Sequence, residues 1–557
     1  MELIQITTYK DLGRYEKEWS AILEENDNTN PFIEYEFVYN WWRFLGGNEN
    51  VEIYVVKEND RIIAFFPFQL KKNWYGYMLH FLALGDANYM DIIARERDKD
   101  RVIMFVFDAL IKEKKSIVFY LHGLLESIET HSKLSNYLKA RNMKERYSRI
   151  VTPYIDLQNI SYEEYLKPRQ KLHGLDRREK RLRALGNVQL QISPSAEINQ
   201  VFKVHQKRWE KKNDTSGFSS GRKQSFFKYL AEQNDGKLRV RLSTLTLQNE
   251  MIAFTYGFAC RGRYLGYVLG HDSDFDVYGP GRILVKEKIK RNIEDEFHKL
   301  DMSIGYEPYK LEWNTDNDYT RKTVFSTNTF RARIYRNFIW LKETVFSKLR
   351  KHYSVVIFRR NTIGKLKYYL RNKEKFHFWK DIWKNRLRPF VYERKQYLIA
   401  KLTVSELKKE SYFEKVTPEI ALEIKQNRKE MLQKIYNGYK GYYSTDVNKA
   451  FWVNENVIRL DDIEVVENLK KKSIYIRDWE NENLEQILSF AQVNYRPKYI
   501  FVHVNKRDQK SIHTLESFDF EFTERLSYSR VLGKRKIKRE GAFYYSFKEK
   551  FSKYKNE

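Results

Sequence analysis

One cysteine, Cys260, stands in 557 residues. An intramolecular disulfide is therefore impossible, a zinc cluster built on thiolates is excluded, and the chain fits a reducing compartment. Prolines number 10 and glycines 23, too few for long disordered linkers. No run of eighteen apolar residues occurs, which excludes an ordinary transmembrane helix. The longest apolar patch, near Ile62 to Phe68, reads as a buried strand. The stretch Met1 to Lys10 has no basic head followed by an apolar run, so no secretory signal is expected and a cytoplasmic location is. No Walker A loop, no Gly-x-Ser-x-Gly elbow and no metal-ligand cluster is visible, so no metal is expected. Zinc-finger and RNA-recognition signatures are also missing, which leaves sequence-specific nucleic-acid binding unsupported.

Acidic residues are the minority as well. Lys and Arg total 102 against 74 Asp and Glu, a net charge of +28. From Arg331 to Lys395 there are 20 Lys/Arg against 4 acids, so one segment carries a surplus of 16. Such a segment attracts polyanions: nucleic acid, anionic lipid or acidic polysaccharide. Its aromatics, among them Trp340, Phe346, Tyr353, Phe358, Tyr368, Tyr369, Trp379 and Trp383, interleave with the basic residues. That mixture suits a membrane interface or stacked single strands, and equally a helical linker packing on its neighbours.

The length exceeds one core and predicts three or four domains. Residues 1–155 read as mixed α and β. Helices are expected over Asp11–Glu24, Glu34–Phe44 and Asp98–Lys114, a hairpin over Val51–Val56 and Arg61–Leu70 around Glu58-Asn59-Asp60, and a strand over Ser116–Leu121. Residues 156–330 repeat this plan. A long basic helix is expected over Tyr162–Leu185, closed by Gly186, then helices over Ile198–Lys212 and Lys223–Gln233. A hairpin follows over Leu238–Leu247 and Met251–Ala259, then a strand over Tyr264–Leu269 and a helix over Gly281–Phe297. Ile63-Ala64-Phe65 and Ile252-Ala253-Phe254 stand at matching places in the two halves, which favours a tandem duplication. After the basic connector 331–395, residues 396–535 form a further α/β unit. Its strands are expected at Gln396–Leu402, Ser473–Arg477, Tyr499–Val504 and Arg525–Leu532, its helices at Pro418–Tyr436, Leu484–Val493 and Gln509–Ser517. The basic tail from Gly533 is expected to fray.

Two signatures in the second half bear on chemistry. Gly279-Pro280-Gly281 precedes a helix, so the N–H groups of Gly281, Arg282 and Ile283 would hold a pyrophosphate on the helix dipole, or the glycines merely make a tight turn. Asp272, at the end of the preceding strand, would take a proton from an acceptor or cap its loop. Asp301, Glu307, Tyr309 and Lys310 gather after the helix as acid–base equipment or as a polar strand edge. His205 and Trp209, one helical turn apart, would wall an acceptor pocket or pack a core. The run Arg177, Arg178, Lys180, Arg181, Arg183 would bind phosphates or form a solvated face.

These residues resemble a known family. Tyr165-Leu166, Arg177-Arg178 and Leu182, then His205, Arg208 and Trp209, then Gly217-Phe218 and Phe226-Phe227 occur in the order of the CelD/BcsL-type acetyltransferase domain, a GNAT-like group related to the FemAB transferases. Leu245, Ile252-Ala253 and Tyr256 resemble its central hairpin, Gly270, Asp272, Pro280-Gly281 and Leu284 its glycine turn, and Asp301, Gly305, Glu307, Tyr309-Lys310 and Trp313 its closing motif. Asn30-Pro31-Phe32, Trp41, Gly85 and Tyr89-Met90-Asp91 look like its leading half. The resemblance implies an α/β fold of two GNAT-like mixed sheets in tandem, flanked by helices. Residues 396–535 resemble a third, degenerate GNAT-like domain without a glycine turn.

It further implies acyl transfer from acetyl-CoA or another acyl-CoA to an amine or hydroxyl of a sugar or cell-envelope or exopolysaccharide precursor. Asp272 or Glu307 would be the base, Tyr309 the acid, and Lys310 a positioning or balancing charge. Gly279, Gly281, Arg282 and Ile283 would hold the donor, and His205, Trp209 and Arg178 the acceptor. Asp276 stands where the family places Arg or Gln. Two other expectations stay open: a non-catalytic scaffold resting on an anionic membrane through 331–395, and a FemAB-like ligase that uses aminoacyl-tRNA.

Overall fold

The hairpins close where the polar turns interrupt the apolar runs. The computed structural model describes residues 1–26, 28–47, 50–169, 172, 174–192, 197–210, 218, 220–233, 236–351, 392–404, 411–424, 426–531 and 534–541. It divides into two units: Met1–Glu179, Val188–Asp272 and Gly279–Tyr368 form the first, and Lys180–Asn187, Ser273–Tyr278 and Tyr369–Glu557 the second.

The first unit holds one sheet of thirteen strands: β1 (Glu2–Ile6), β2 (Val51–Glu58), β3 (Arg61–Asn73), β4 (Gly76–Phe81), β5 (Ile93–Ala94), β6 (Ile117–Leu125), β7 (Arg146–Asp156), β8 (Val188–Ile192), β9 (Arg239–Leu247), β10 (Glu250–Cys260), β11 (Arg263–His271), β12 (Lys299–Asp301) and β13 (Asp316–Ser326). Asn59 and Asp60 turn β2 into β3 with φ of 47° and 61°, and Gln248 and Asn249 turn β9 into β10 with φ of 49° and 64°. Positive φ at both central positions matches the twist of a two-residue hairpin.

The sheet is a duplication written in strand order. β1, β2, β3 and β4 run antiparallel, and β6 joins β4 in parallel after the helix Glu96–Glu113. β8, β9, β10 and β11 repeat this, and β12 joins β11 in parallel after the helix Pro280–Glu294. Ile63-Ala64-Phe65 and Ile252-Ala253-Phe254 fall on the equivalent strands β3 and β10. Each half is thus the same mixed sheet flanked by helices, in tandem. The halves are interlocked, because β7 lies between β12 and β13, and β13 lies between β6 and β7. The expected boundary at residue 155 thus cuts through the tail of β7.

The expected helix over Tyr162–Leu185 is two pieces, Tyr162–Leu166 and Gly174–Arg183. Pro168 lacks the N–H and collides with the preceding turn, which ends the first piece. The helix Phe330–Lys351 packs Ala332, Tyr335 and Ile339 onto Tyr75, Val118, Tyr120 and Val324 of the sheet. Of the expected connector 331–395, residues 352–391, with Tyr353 to Trp383, lie outside the described residues.

The second unit holds β14 (Tyr392–Thr403), β15 (Glu414–Lys415), β16 (Lys440–Tyr443), β17 (Phe451–Glu455), β18 (Val457–Leu460), β19 (Val465–Asn468), β20 (Ser473–Arg477), β21 (Tyr499–Asn505), β22 (Glu521–Val531) and β23 (Lys534–Gly541). Its main sheet runs β15-β16-β17-β20-β21-β14-β22-β23, with β20 and β21 parallel across the helix Leu484–Tyr495. The expected helix over Pro418–Tyr436 is interrupted by Asn427 at φ 62°. Of the tail expected to fray, Lys534–Gly541 instead pairs with β22 along its whole length, and residues 542–557 lie outside the described residues. Within this unit Arg428 faces Asp274 at 3.2 Å and Lys429 faces Asp276 at 2.7 Å, so the carboxylate of Asp276 is neutralised.

Candidate active site

β11 and β12 stay together for three pairs only, Arg263–Lys299, Tyr264–Leu300 and Leu265–Asp301. Beyond them β11 keeps to β10, with Val268 opposite Tyr256 and Leu269 opposite Thr255. The other chain keeps to β7: Met302 N–H donates to Pro153 C=O and Gly305 N–H to Val151 C=O, each at 3.0 Å. The parted strands enclose a cavity of about 470 Å³. Gly266, Tyr267, Val268 and Leu269 line one side, Met302, Ser303 and Ile304 the other. Val285 and Lys288 face it from the helix, and His205, Glu307, Tyr309 and Lys310 complete the wall.

Asp301 sets the divergence. Its buried carboxylate pairs with Arg263 and accepts from Tyr89 O–H at 2.9 Å and from Ser303 N–H at 2.6 Å. Ser303 takes φ 66°, and Asn88 Nδ2 holds its hydroxyl at 2.7 Å. A carboxylate so engaged braces the site rather than moving protons. Asn88 and Tyr89 come from the first half, so both halves build this wall.

Glu307 caps the short helix Pro308–Trp313, with Pro308 at its first position. Lys310 is buried; its Nζ donates to Ile304 C=O at 2.7 Å and lies 3.1 Å from Glu307 Oε2. Glu307 remains about half exposed. Gly305 has φ 131°, and a Cβ there would collide with the Glu307 carboxylate. The spacing Gly305-x-Glu307 is thus a packing requirement. Tyr309 joins Glu307 and Lys310 on the cavity, so three of the four expected catalytic residues come together.

The fourth, Asp272, does not line the cavity. It is 3% exposed and faces Lys207 Nζ at 2.5 Å. Lys207 on the helix Ile198–Glu210 supplies the counter-charge that a buried carboxylate requires. His205 lies on the same helix, buried against Phe218 with ring centroids 4.9 Å apart, and forms part of the cavity wall. Trp209 stands in that helix too, but its side chain is outside the described residues.

The glycine turn departs from expectation in one respect. Gly279 is left-handed, with φ 66°, and caps the helix Pro280–Glu294. The N–H groups of Arg282 and Ile283 both return to Gly279 C=O, at 3.0 and 3.1 Å. Arg282 and Ile283, the latter with its side chain also buried, therefore have no backbone N–H to offer a phosphate. Gly281 is the second residue of this helix, where an α-helix provides its N–H with no partner of its own, and a Cβ on Gly281 would come within 3.1 Å of His271 Nδ1. Arg178 reaches the turn, its guanidinium 3.3 Å from where a Cβ of Gly279 would sit. Arg282 extends to Glu312 at 2.7 Å.

Lys288 is the cavity residue that sequence reasoning missed. Its Nζ donates to Thr255 Oγ1 at 2.8 Å and lies 3.7 Å from the centroid of the Tyr264 ring. Burial, helped by the charge of Arg241, pushes its amine well below the ordinary lysine range. Among the described residues no group of His, Cys, Asp or Glu is placed to hold a metal, and no helix is long and apolar enough to cross a membrane.

A family model described as an acetyltransferase (GNAT) domain matches residues 169–311. No curated protein matches the chain. Among solved structures, a FemX protein is 9% identical, with a TM-score of 0.43 over 61% of this chain and 100% of its own. The L-PGS protein of Bacillus licheniformis is 13% identical, with a TM-score of 0.38 over 60% and 96%. A tandem GNAT protein from the clavulanic acid biosynthesis pathway is 10% identical, with a TM-score of 0.35 over 58% and 98%. Residues 169–311, which contain the parted strands, the glycine turn and the Glu307–Lys310 corner, thus carry the sequence pattern of a GNAT acetyltransferase domain.

Proposed function

We propose that the protein transfers an acyl group from an acyl-CoA, most simply acetyl-CoA, to an amine or hydroxyl. The observation that carries this reading is the cavity between β11 and β12, walled by Glu307, Tyr309 and Lys310. Strands that part leave backbone groups facing the gap, and an extended amide-bearing arm of the donor can pair with them as an added strand would. The donor's phosphates would sit at the Gly279–Gly281 turn. Gly281 N–H, the helix dipole and the Arg178 guanidinium favour negative charge there.

In the transfer, the Glu307 carboxylate takes the proton of the acceptor as its nitrogen or oxygen attacks the thioester carbonyl. The C–S bond then breaks, and Tyr309 O–H returns a proton to the leaving thiolate. Backbone N–H groups of the parted strands hold the developing oxyanion. Lys310 Nζ, fixed by Ile304 C=O, holds the Glu307 carboxylate in place at 3.1 Å. Asp272 takes no part in this scheme.

The CelD/BcsL resemblance favours a sugar or cell-envelope precursor as acceptor. The second unit has four acids, Asp478, Glu480, Glu482 and Glu485, around the start of the helix that follows β20. Asp478, Glu480 and Glu482 are paired with Lys434, Lys449 and Lys510, and no glycine turn precedes this helix, so we assign that unit no donor site.

The test is steady-state acetyl transfer to a panel of amino sugars with Glu307→Gln. Loss of a general base is expected to lower kcat about 10²- to 10⁴-fold with little change in donor KM. Unchanged kcat would remove Glu307 from the mechanism.

A further inference from the structure

The helix Phe330–Lys351 is apolar on two sides. Its inner side, with Ala332, Tyr335 and Ile339, is spent on the sheet. Its only acid, Glu343, is turned inward to Lys322 and Tyr120. On the far side Phe330, Ile334, Phe338, Leu341, Val345 and Leu349 follow one another at intervals of four, four, three, four and four residues. At 100° per residue they share one stripe about 100° wide. All six are exposed, Phe330 to 73% and Phe338 to 58%. Trp74, 72% exposed, adjoins the start of the stripe, since Arg331 reaches its carbonyl and the neighbouring Tyr75 stacks on Tyr335. Arg331, Arg333, Lys342 and Lys348 are exposed around the stripe, with no exposed acid on the helix. Isolated exposed apolar residues are ordinary, but a continuous stripe of this length marks an interaction surface.

We propose that this stripe docks the protein on an anionic bilayer, with the helix lying in the plane of the interface. Charge decides the occupant. A second copy would bring an equally basic helix against this one, whereas acidic lipid headgroups complement Arg331, Arg333, Lys342 and Lys348. Aromatic side chains such as Trp74, Phe330 and Phe338 suit the headgroup boundary, and the apolar residues between them enter the acyl region. The inference does not depend on the acyl-transfer reading.

The test is co-sedimentation of the full chain with vesicles of phosphatidylcholine mixed with phosphatidylglycerol, and with vesicles of phosphatidylcholine alone. The wild type is expected to bind the mixed vesicles, less so as salt rises. The Phe338→Glu/Leu341→Glu variant alters only outward side chains, so its circular dichroism should match the wild type while its partitioning falls at least about tenfold. Lys342→Glu should lower partitioning about fivefold or more. The proposal is overturned if the wild type ignores mixed vesicles or the double variant binds as well as the wild type. It is equally overturned if the wild type is a dimer that the double variant dissolves without vesicle binding.

Discussion

Lys288 places an amine in the buried wall of the cavity. In the unfolded chain that amine titrates near its ordinary value of about 10.4. In the folded protein burial holds it well below. Between those two values the unfolded chain binds the extra proton, so stability rises with pH across the interval. Lys288→Met removes the buried amine at similar volume. It is expected to add about 1 kcal/mol at neutral pH and to flatten the rise toward pH 9. Urea unfolding of both proteins at pH 7 and pH 9 measures this, and parallel curves would show that burial does not depress the Lys288 amine. Nothing in Lys286-Glu287-Lys288 distinguishes the buried lysine from its neighbours. Lys286 pairs on the surface side with Asp176 and Glu179. Only the packing of the helix on β10 separates the two.

At the scale of elements, the local signals were legible and the long-range ones were not. Polar turns with Asn and Asp placed the hairpins, and Gly279 before Pro280 placed a helix start, because those residues choose their own backbone angles. Pro168 was equally visible and should have broken the expected helix over Tyr162–Leu185. The exchange of β7 and β13 left no local trace, since it depends on pairing across more than a hundred residues. The Glu307–Lys310 corner was legible as a motif, but its geometry rests on Gly305. Gly305→Ala forces a Cβ at φ 131° into the Glu307 carboxylate. Stability should fall by about 1–2 kcal/mol, while a displaced base should lower kcat about 10²-fold. Thermal unfolding and kinetics on the same preparation separate the two, and a fall in stability with full activity would place Glu307 outside the chemistry.

At the scale of the molecule, the first unit behaves as one interlocked body. β13 has β6 and β7 as its two neighbours, and β12 has β7. A fragment of residues 156–330 therefore lacks the strands on both sides of β13 and exposes long unpaired edges. It is expected to aggregate or remain unfolded, whereas residues 1–351, which hold all thirteen strands, should unfold in one cooperative transition. Circular dichroism and size-exclusion chromatography distinguish the outcomes. A monomeric, cooperatively folding 156–330 would mean that the halves are independent domains, as the sequence alone implied.

The central claim is that the cavity between β11 and β12, with the Gly279 turn, is a thioester-donor site. Calorimetric titration of the full-length protein with acetyl-CoA tests it directly. The account predicts saturable binding at one site per chain, weakened by Arg178→Ala and unaffected by Glu307→Gln. Absence of binding at millimolar acetyl-CoA, or binding that ignores Arg178, would contradict it.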